Sequence, residues 1–227
     1  MDKVIVTGAS RGLGRHCAMR LMEAGYQVIG LARRPDPEAP FEMRACDVAS
    51  PAEVERAFDD LRRDPSVYAL VNAAGIASMN LLLTTPPETV QRIVATNLTG
   101  TILCTQAVAK ALIRRRGGRI VNFSTIAVPL ALKGEAVYAA SKAGVEAFSR
   151  AFARELADYG VTINVVAPGP IDTQLIAKVP AESIRRIVAQ QIIPRQAEPE
   201  DVWNIVSLIL RPESAMITGQ TFHVGGV

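Results

Sequence analysis

The chain has 227 residues, 49% hydrophobic, 21% charged and 5% aromatic, which excludes a disordered or collagen-like polymer and suits one globular domain over 1–227. Lysine and arginine number 25 against 22 acidic residues, a formal charge of +3, so bulk electrostatics favour neither nucleic acid nor a membrane surface as a partner. Cys17, Cys46 and Cys104 lack CxxC spacing and are odd in number, which suits reduced thiols better than a disulfide framework or a zinc site; no metal is expected.

The opening run Lys3-Val4-Ile5-Val6-Thr7 stops at Gly8 and lacks the apolar core of a signal peptide. No apolar stretch approaches the roughly 20 residues that span a bilayer, and a cytoplasmic protein is expected. Strands are predicted at 3–7, 26–31, 41–46, 67–72, 118–123, 161–166 and 220–224, alternating with longer helical segments. That alternation predicts an α/β protein with a seven-stranded parallel sheet and helices on both faces.

The first strand runs directly into Gly8, Ser10, Arg11, Gly12, Leu13 and Gly14, which open the first helix. A dinucleotide phosphate needs this arrangement, because glycines admit close backbone approach and the helix N-terminus offers unpaired N–H groups. After the second strand, Ala32 stands where a NAD site usually carries an acid, followed by Arg33 and Arg34. With Arg11 these arginines are suited to clamp a 2′-phosphate, which points to NADP(H). Three prolines among residues 35–40 exclude a helix between strands two and three. Ser50-Pro51-Ala52-Glu53, Thr85-Pro86-Pro87-Glu88 and Pro199-Glu200-Asp201 mark helix starts. Arg114, Arg115 and Arg116 close the fourth helix, either as favourable helix-end charge or as a surface for an acidic partner.

Tyr138 and Lys142 lie four apart on one helix, so the ammonium is expected to sit near the phenol and lower its pKa. Residues 174–197 read as a helical lid, with Ile176, Val179, Ile184 and Ile187 as candidate pocket residues or ordinary packing. His16, His223 and Trp203 read as packing or subunit-contact residues without metal or base partners.

The ordered motifs TGASRGLG (7–14), CDV (46–48), NAAG (72–75), TNLTG around Asn97, YAASK (138–142) and PGPIDT (168–173) resemble the short-chain dehydrogenase/reductase family over nearly the whole chain. The resemblance implies a Rossmann-type doubly wound fold, hydride transfer between a nicotinamide and a carbonyl or alcohol, and a homotetramer or dimer. It implies that Asp47 and Val48 hold the adenine and that Asn72, Ala73, Ala74 and Gly75 line the cofactor and steady the sheet. Lys142 would bond the nicotinamide ribose, Asn97 would hold a water in a proton relay, and Pro168, Gly169, Ile171 and Thr173 would face the nicotinamide. Tyr138 would be the proton donor. The family's substrate-orienting serine falls on Thr125, with Ser124 just before it, and neighbours on a strand point to opposite faces. Thr125 is the expected choice. The stretches 199–202 and 217–226 look most like 3-oxoacyl-[acyl-carrier-protein] reductases, implying a carrier-bound or small-molecule acyl substrate and an acyl carrier protein as partner. Tyr159 replaces a basic residue common in that group, which weighs against carrier docking. Another ketone or alcohol substrate, or a cofactor-binding sensor without turnover, remains open.

Overall fold

In a computed structural model, residues 1–173, 176, 177 and 179–227 are described. Seven strands form one all-parallel sheet: β1 (Lys3–Thr7), β2 (Gln27–Ala32), β3 (Glu42–Ala45), β4 (Val67–Asn72), β5 (Gly118–Phe123), β6 (Val161–Ala167) and β7 (Thr221–His223). Their spatial order is β3-β2-β1-β4-β5-β6-β7. The order reverses between β1 and β4, and in doubly wound sheets the ligand crevice lies outside the strand ends at that point. Every residue of β4, β5 and β6 is buried, as strands covered on both faces require.

The strand period separates two cores. Ile5 and Ile120 pack with Phe58 and Leu112 on one face; Val4, Val6 and Val121 pack with Leu21 and Trp203 on the other. The first face is covered by α2 (Pro51–Ala57), α4 (Gly100–Arg115) and α6 (Ala136–Leu156), the second by α1 (Gly12–Glu23) and α8 (Pro199–Leu210). The remaining α-helices are α3 (Pro87–Val94), the short α5 (Ala127–Leu130) and α7 (Ala181–Val188). No helix forms between β2 and β3. There Asp36 caps the Glu38 N–H at 3.1 Å and pairs with Arg15 of α1, which fastens the proline loop to the sheet's flank.

Ser50 caps α2, accepting from the Glu53 N–H at 3.4 Å with proline at the first turn, as expected. The start at Thr85 differs: Pro86 is the N-cap of α3, and the Thr85 hydroxyl instead donates to the Leu81 carbonyl at 3.0 Å. Glu198 and Asp201 form a capping box on α8. The three cysteines are buried as free thiols, and burial raises the pKa of Cys46 to about 11 and of Cys17 to about 12. Among the described residues no cluster of His, Cys, Asp or Glu could hold a metal, and no helix is long and apolar enough to cross a membrane.

Candidate active site

The glycine loop closes on backbone, not on side chains. Gly8 has φ +70°, and a Cβ there would stand 2.9 Å from both the nitrogen and Cα of Ala74. A Cβ on Gly14 would lie 2.4 Å from the Gly8 carbonyl oxygen. The Thr7 hydroxyl accepts from the Ala74 N–H at 3.0 Å, locking the NAAG segment against the loop. Arg11 precedes α1 in extended conformation, and no side chain caps the helix. Arg11, Arg33 and Arg34 are exposed, and Arg33 and Arg34 form no ion pair with the described residues. The backbone cradle and these cations fit a phosphorylated dinucleotide.

Asp47 and Asn72 have structural partners. The Asp47 carboxylate accepts from the Ala49 N–H at 3.0 Å, shaping the turn into α2, while Val48 is buried against Gly100. The Asn72 side chain donates to Thr105 and Asn122 at 3.0 and 2.9 Å, and Asn122 donates onward to Ser149. This buried network joins β4, β5, α4 and α6 directly beneath the crevice and steadies the sheet there.

Tyr138 and Lys142 lie on the same side of α6, the helix that packs on β6. The Lys142 ammonium donates to the Phe123 carbonyl at 2.8 Å, and burial lowers its pKa to about 8. The Tyr138 phenol moves opposite to the sequence expectation: burial, aided by the Glu135 charge, raises its pKa, and only the neighbouring Thr125 hydroxyl pulls it back. Lys142 does not offset this burial: its own ammonium is buried and donates to the Phe123 carbonyl.

Thr125 and Ser124 follow β5 and separate as strand neighbours should. Thr125 lies beside the Tyr138 phenol and favours its ionised form, whereas the Ser124 hydroxyl donates to Glu146 of α6 at 2.6 Å and is buried. Between α3 and α4 the helix widens into a π turn at Ala95–Thr99, which holds Asn97. The Asn97 side chain accepts from the Ile76 N–H and donates to its carbonyl, both at 2.9 Å, and donates to Ser141 at 3.1 Å. A Cβ on Gly75 would stand 3.4 Å from Asn97 Oδ1 and 3.5 Å from Lys142 Nζ, so Gly75 lies between the two side chains.

The Pro168 carbonyl accepts from the Ile126 N–H at 3.1 Å, and Thr173 reaches within 3.9 Å of a Cβ placed on Gly12, so this segment spans the crevice toward α1. Ile171 is buried, and Gly169 packs on Gln191. The lid reading begins at Gln174, Leu175 and Lys178, which lie outside the described residues; within 174–197, α7 has no buried residue.

Several participants were not legible in the sequence. His16 does meet a carboxylate, with Nε2 3.2 Å from Glu200, 184 positions away. Ser141 accepts from Asn97 and donates to the Tyr138 carbonyl at 2.7 Å; its place inside the Tyr-to-Lys motif was the available signal. Glu135 and Glu146 carried no signal, because their importance comes from burial. The three arginines divide: Arg115 pairs with Asp2 at 2.9 Å, Arg114 donates to the Arg62 carbonyl at 3.2 Å, and Arg116 is the exposed left-handed cap of α4.

A family model described as Enoyl-(Acyl carrier protein) reductase matches residues 8–226. The chain belongs to the short-chain dehydrogenase/reductase family. Short-chain dehydrogenase/reductase relatives include the 3-oxoacyl-[acyl-carrier-protein] reductases FabG of Vibrio cholerae and of Escherichia coli, each 36% identical over 98% of this chain and 95% of the relative. The Synechocystis 3-oxoacyl-[acyl-carrier-protein] reductase is also 36% identical, over 98% of this chain and 94% of its own. Among solved structures, the ligand-free aldohexose dehydrogenase of Thermoplasma acidophilum superposes with a TM-score of 0.89 at 29% identity, covering 99% of this chain and 93% of that one. As a short-chain dehydrogenase/reductase, the protein is a nicotinamide-dependent oxidoreductase acting on C=O or CH–OH groups.

Proposed function

We propose that the protein reduces the ketone of a 3-oxoacyl thioester, linked to acyl carrier protein or coenzyme A, to the hydroxyacyl product with NADPH. The similarity to three such reductases at 36% identity supports the substrate class. The exposed Arg33 and Arg34 beside the glycine loop support the phosphorylated cofactor. Gly8, Ser10, Arg11, Gly12, Leu13 and Gly14 would hold its phosphates, Asp47 and Val48 its adenine side, and Ala73, Ala74, Gly75, Pro168, Gly169, Ile171 and Thr173 the nicotinamide half. Asn72 supports that wall from beneath.

When bound, the reduced dinucleotide supplies a hydride to the carbonyl carbon. Tyr138 gives its phenolic proton to the carbonyl oxygen, so one hydride and one proton convert C=O into CH–OH. Thr125 donates a hydrogen bond to the same oxygen and stabilises the charge developing there. Lys142 holds the ribose and, with Asn97 and an intervening water, returns a proton to Tyr138. One cluster carries this reading: Gly75 lies between Asn97 Oδ1 and the buried Lys142 ammonium, and Tyr138 stands one helical turn before that lysine on the same side of α6. A chain folded as one domain over 1–227, with 174–197 as its lid, in a cytoplasmic homotetramer or dimer, completes the proposal.

A broader reading, another small ketone or secondary alcohol, draws support from the likeness to an aldohexose dehydrogenase. NADPH oxidation measured with acetoacetyl thioesters of carrier protein and coenzyme A beside simple ketones separates the two. Turnover about tenfold or more faster on the thioesters is expected, since the longer substrate brings extra binding energy to the transition state. Equal rates on all would favour the broader reading, and NADPH binding without turnover on any would overturn both. Tyr138→Phe should leave NADPH affinity intact and lower turnover by roughly a thousandfold, within the range for a lost general acid.

A further inference from the structure

A surface cavity of about 470 Å³ lies toward the far end of α4 from the crevice, and all six residues that line it are charged: Asp59, Asp60, Arg62, Arg63, Lys110 and Arg114. Its volume falls within the roughly 300–1,000 Å³ of small-molecule sites. Arg62 and Arg63 come from the 3₁₀ turn Leu61–Arg63, Asp59 and Asp60 from the link between α2 and that turn, and Lys110 and Arg114 from successive turns of α4. The helix begins at Gly100, where the π turn holding Asn97 ends. Lys110 and Arg114 stand about 15 and 21 Å further along it, so the cavity is separate from the crevice.

Part of the charge is already paired. The Asp60 carboxylate accepts from Arg44 at 2.7 and 2.9 Å, and Arg62 pairs with Glu55 at 3.5 Å. Arg114 donates one N–H to the Arg62 carbonyl at 3.2 Å, which ties α4 to the turn and leaves its other donors for the cavity. Arg63, Lys110 and Asp59 have no ion pair with the described residues, so three cations face one carboxylate. A phosphate ester, close to dianionic at neutral pH, matches that imbalance, since a guanidinium offers its oxygens a planar fork and a lysine a point charge. Asp59 adds an acceptor for ligand hydroxyls, whereas a wholly charged lining offers no apolar surface for an acyl chain or a nucleobase. We infer that this cavity binds a small hydroxylated phosphate ester of the sugar-phosphate class, held through its phosphate by Arg63, Lys110 and Arg114 and through a hydroxyl by Asp59. The inference stands apart from the proposed reaction, because none of these residues belongs to the crevice.

The test is calorimetric titration of the full chain with glucose 6-phosphate in saturating NADP⁺, which fills the cradle of the glycine loop. A dissociation constant below about 1 mM is expected, with no binding of glucose. Arg63→Ala and Lys110→Ala should each weaken glucose 6-phosphate about tenfold or more, as loss of a charge-assisted hydrogen bond does, while Arg33→Ala leaves its affinity unchanged. Asp59→Ala should remove the advantage of glucose 6-phosphate over inorganic phosphate, because the hydroxyl acceptor is gone. Asp59, Arg63 and Lys110 are exposed, so these variants should melt within about 2 °C of the unmodified protein. Absence of glucose 6-phosphate binding, an affinity that Arg63→Ala and Lys110→Ala leave unchanged, or one lost only in Arg33→Ala overturns the inference. Malate bound as tightly as glucose 6-phosphate overturns the phosphate class, and an advantage over inorganic phosphate that survives in Asp59→Ala overturns the hydroxyl contact.

Discussion

Ser124 and Glu146 share a 2.6 Å hydrogen bond inside the protein, and that bond takes the Ser124 hydroxyl away from the crevice. The neighbouring Thr125 hydroxyl meets Tyr138. The two hydroxyls are therefore separated: Ser124 satisfies a buried carboxyl of α6 and Thr125 lies beside Tyr138.

Thr125→Ala should lower kcat by about a hundredfold with little change in NADPH affinity, as loss of one oxyanion donor does. Thr125→Ser should restore most of that rate. Ser124→Ala should instead cost roughly 1–3 kcal/mol of stability by leaving the Glu146 carboxyl short of a donor, read by urea denaturation. A hundredfold loss of kcat in Ser124→Ala, with Thr125→Ala unaffected, would exchange the assignments.

Burial of the Lys142 ammonium lowers its pKa to about 8 from the ordinary lysine value of 10.5. The unfolded chain therefore binds more protons between these pH values, and stability rises with pH through that window. The penalty for burying the ammonium, about 3 kcal/mol from the size of the shift, is fully present below pH about 8 and relieved toward about 10.5. Tyr138 and the buried thiols act in the opposite sense, since their raised folded pKa values lose stability as the unfolded groups ionise. The difference between unmodified protein and Lys142→Met isolates the lysine: its advantage should grow from pH 8 to 10 in melting experiments. A pH-independent difference would show the ammonium to be better solvated than its burial implies.

Arg33 is exposed at the end of β2 and has no ion pair with the described residues. Arg33→Ala should raise KM for NADPH about tenfold, the loss of one charge-assisted bond, while leaving KM for NADH within twofold. Arg34→Ala tests its neighbour the same way. Equal effects on both cofactors would mean that the arginines do not read the 2′-phosphate.

Arg114 and Arg115 are occupied by the Arg62 carbonyl and by Asp2, so Arg116 alone of the three is expected to meet an acidic carrier. Arg116→Glu should slow turnover of the carrier-bound thioester severalfold at low salt and leave the coenzyme A thioester unaffected, because rim charges act on encounter. Arg115→Glu should instead lower the melting temperature by opening the contact with Asp2. Equal slowing on both thioesters would assign Arg116 a structural role.

Most of the fold was legible because its signals are local. Alternating β-branched runs and helical segments specify a parallel sheet with helices on both faces, and three prolines among residues 35–40 exclude a helix there. The glycine loop was legible for the same reason: strand, glycines and helix start are contiguous. Thr85 does not cap the helix start that its stretch marks, because its hydroxyl donates to the Leu81 carbonyl, a competition that residue type alone does not decide.

The sequence by itself determined the order of the elements, the phosphate-binding turn and the Tyr138 to Lys142 spacing, since each depends on neighbours within about one helical turn. Tertiary structure decided which hydroxyl reaches Tyr138, turned Lys142 to the Phe123 carbonyl, and paired His16 with Glu200 across 184 positions. It also decided the direction of the Tyr138 shift. Burial is a property of the packed chain, and desolvation in that interior outweighs the short-range charge pairing that a motif displays.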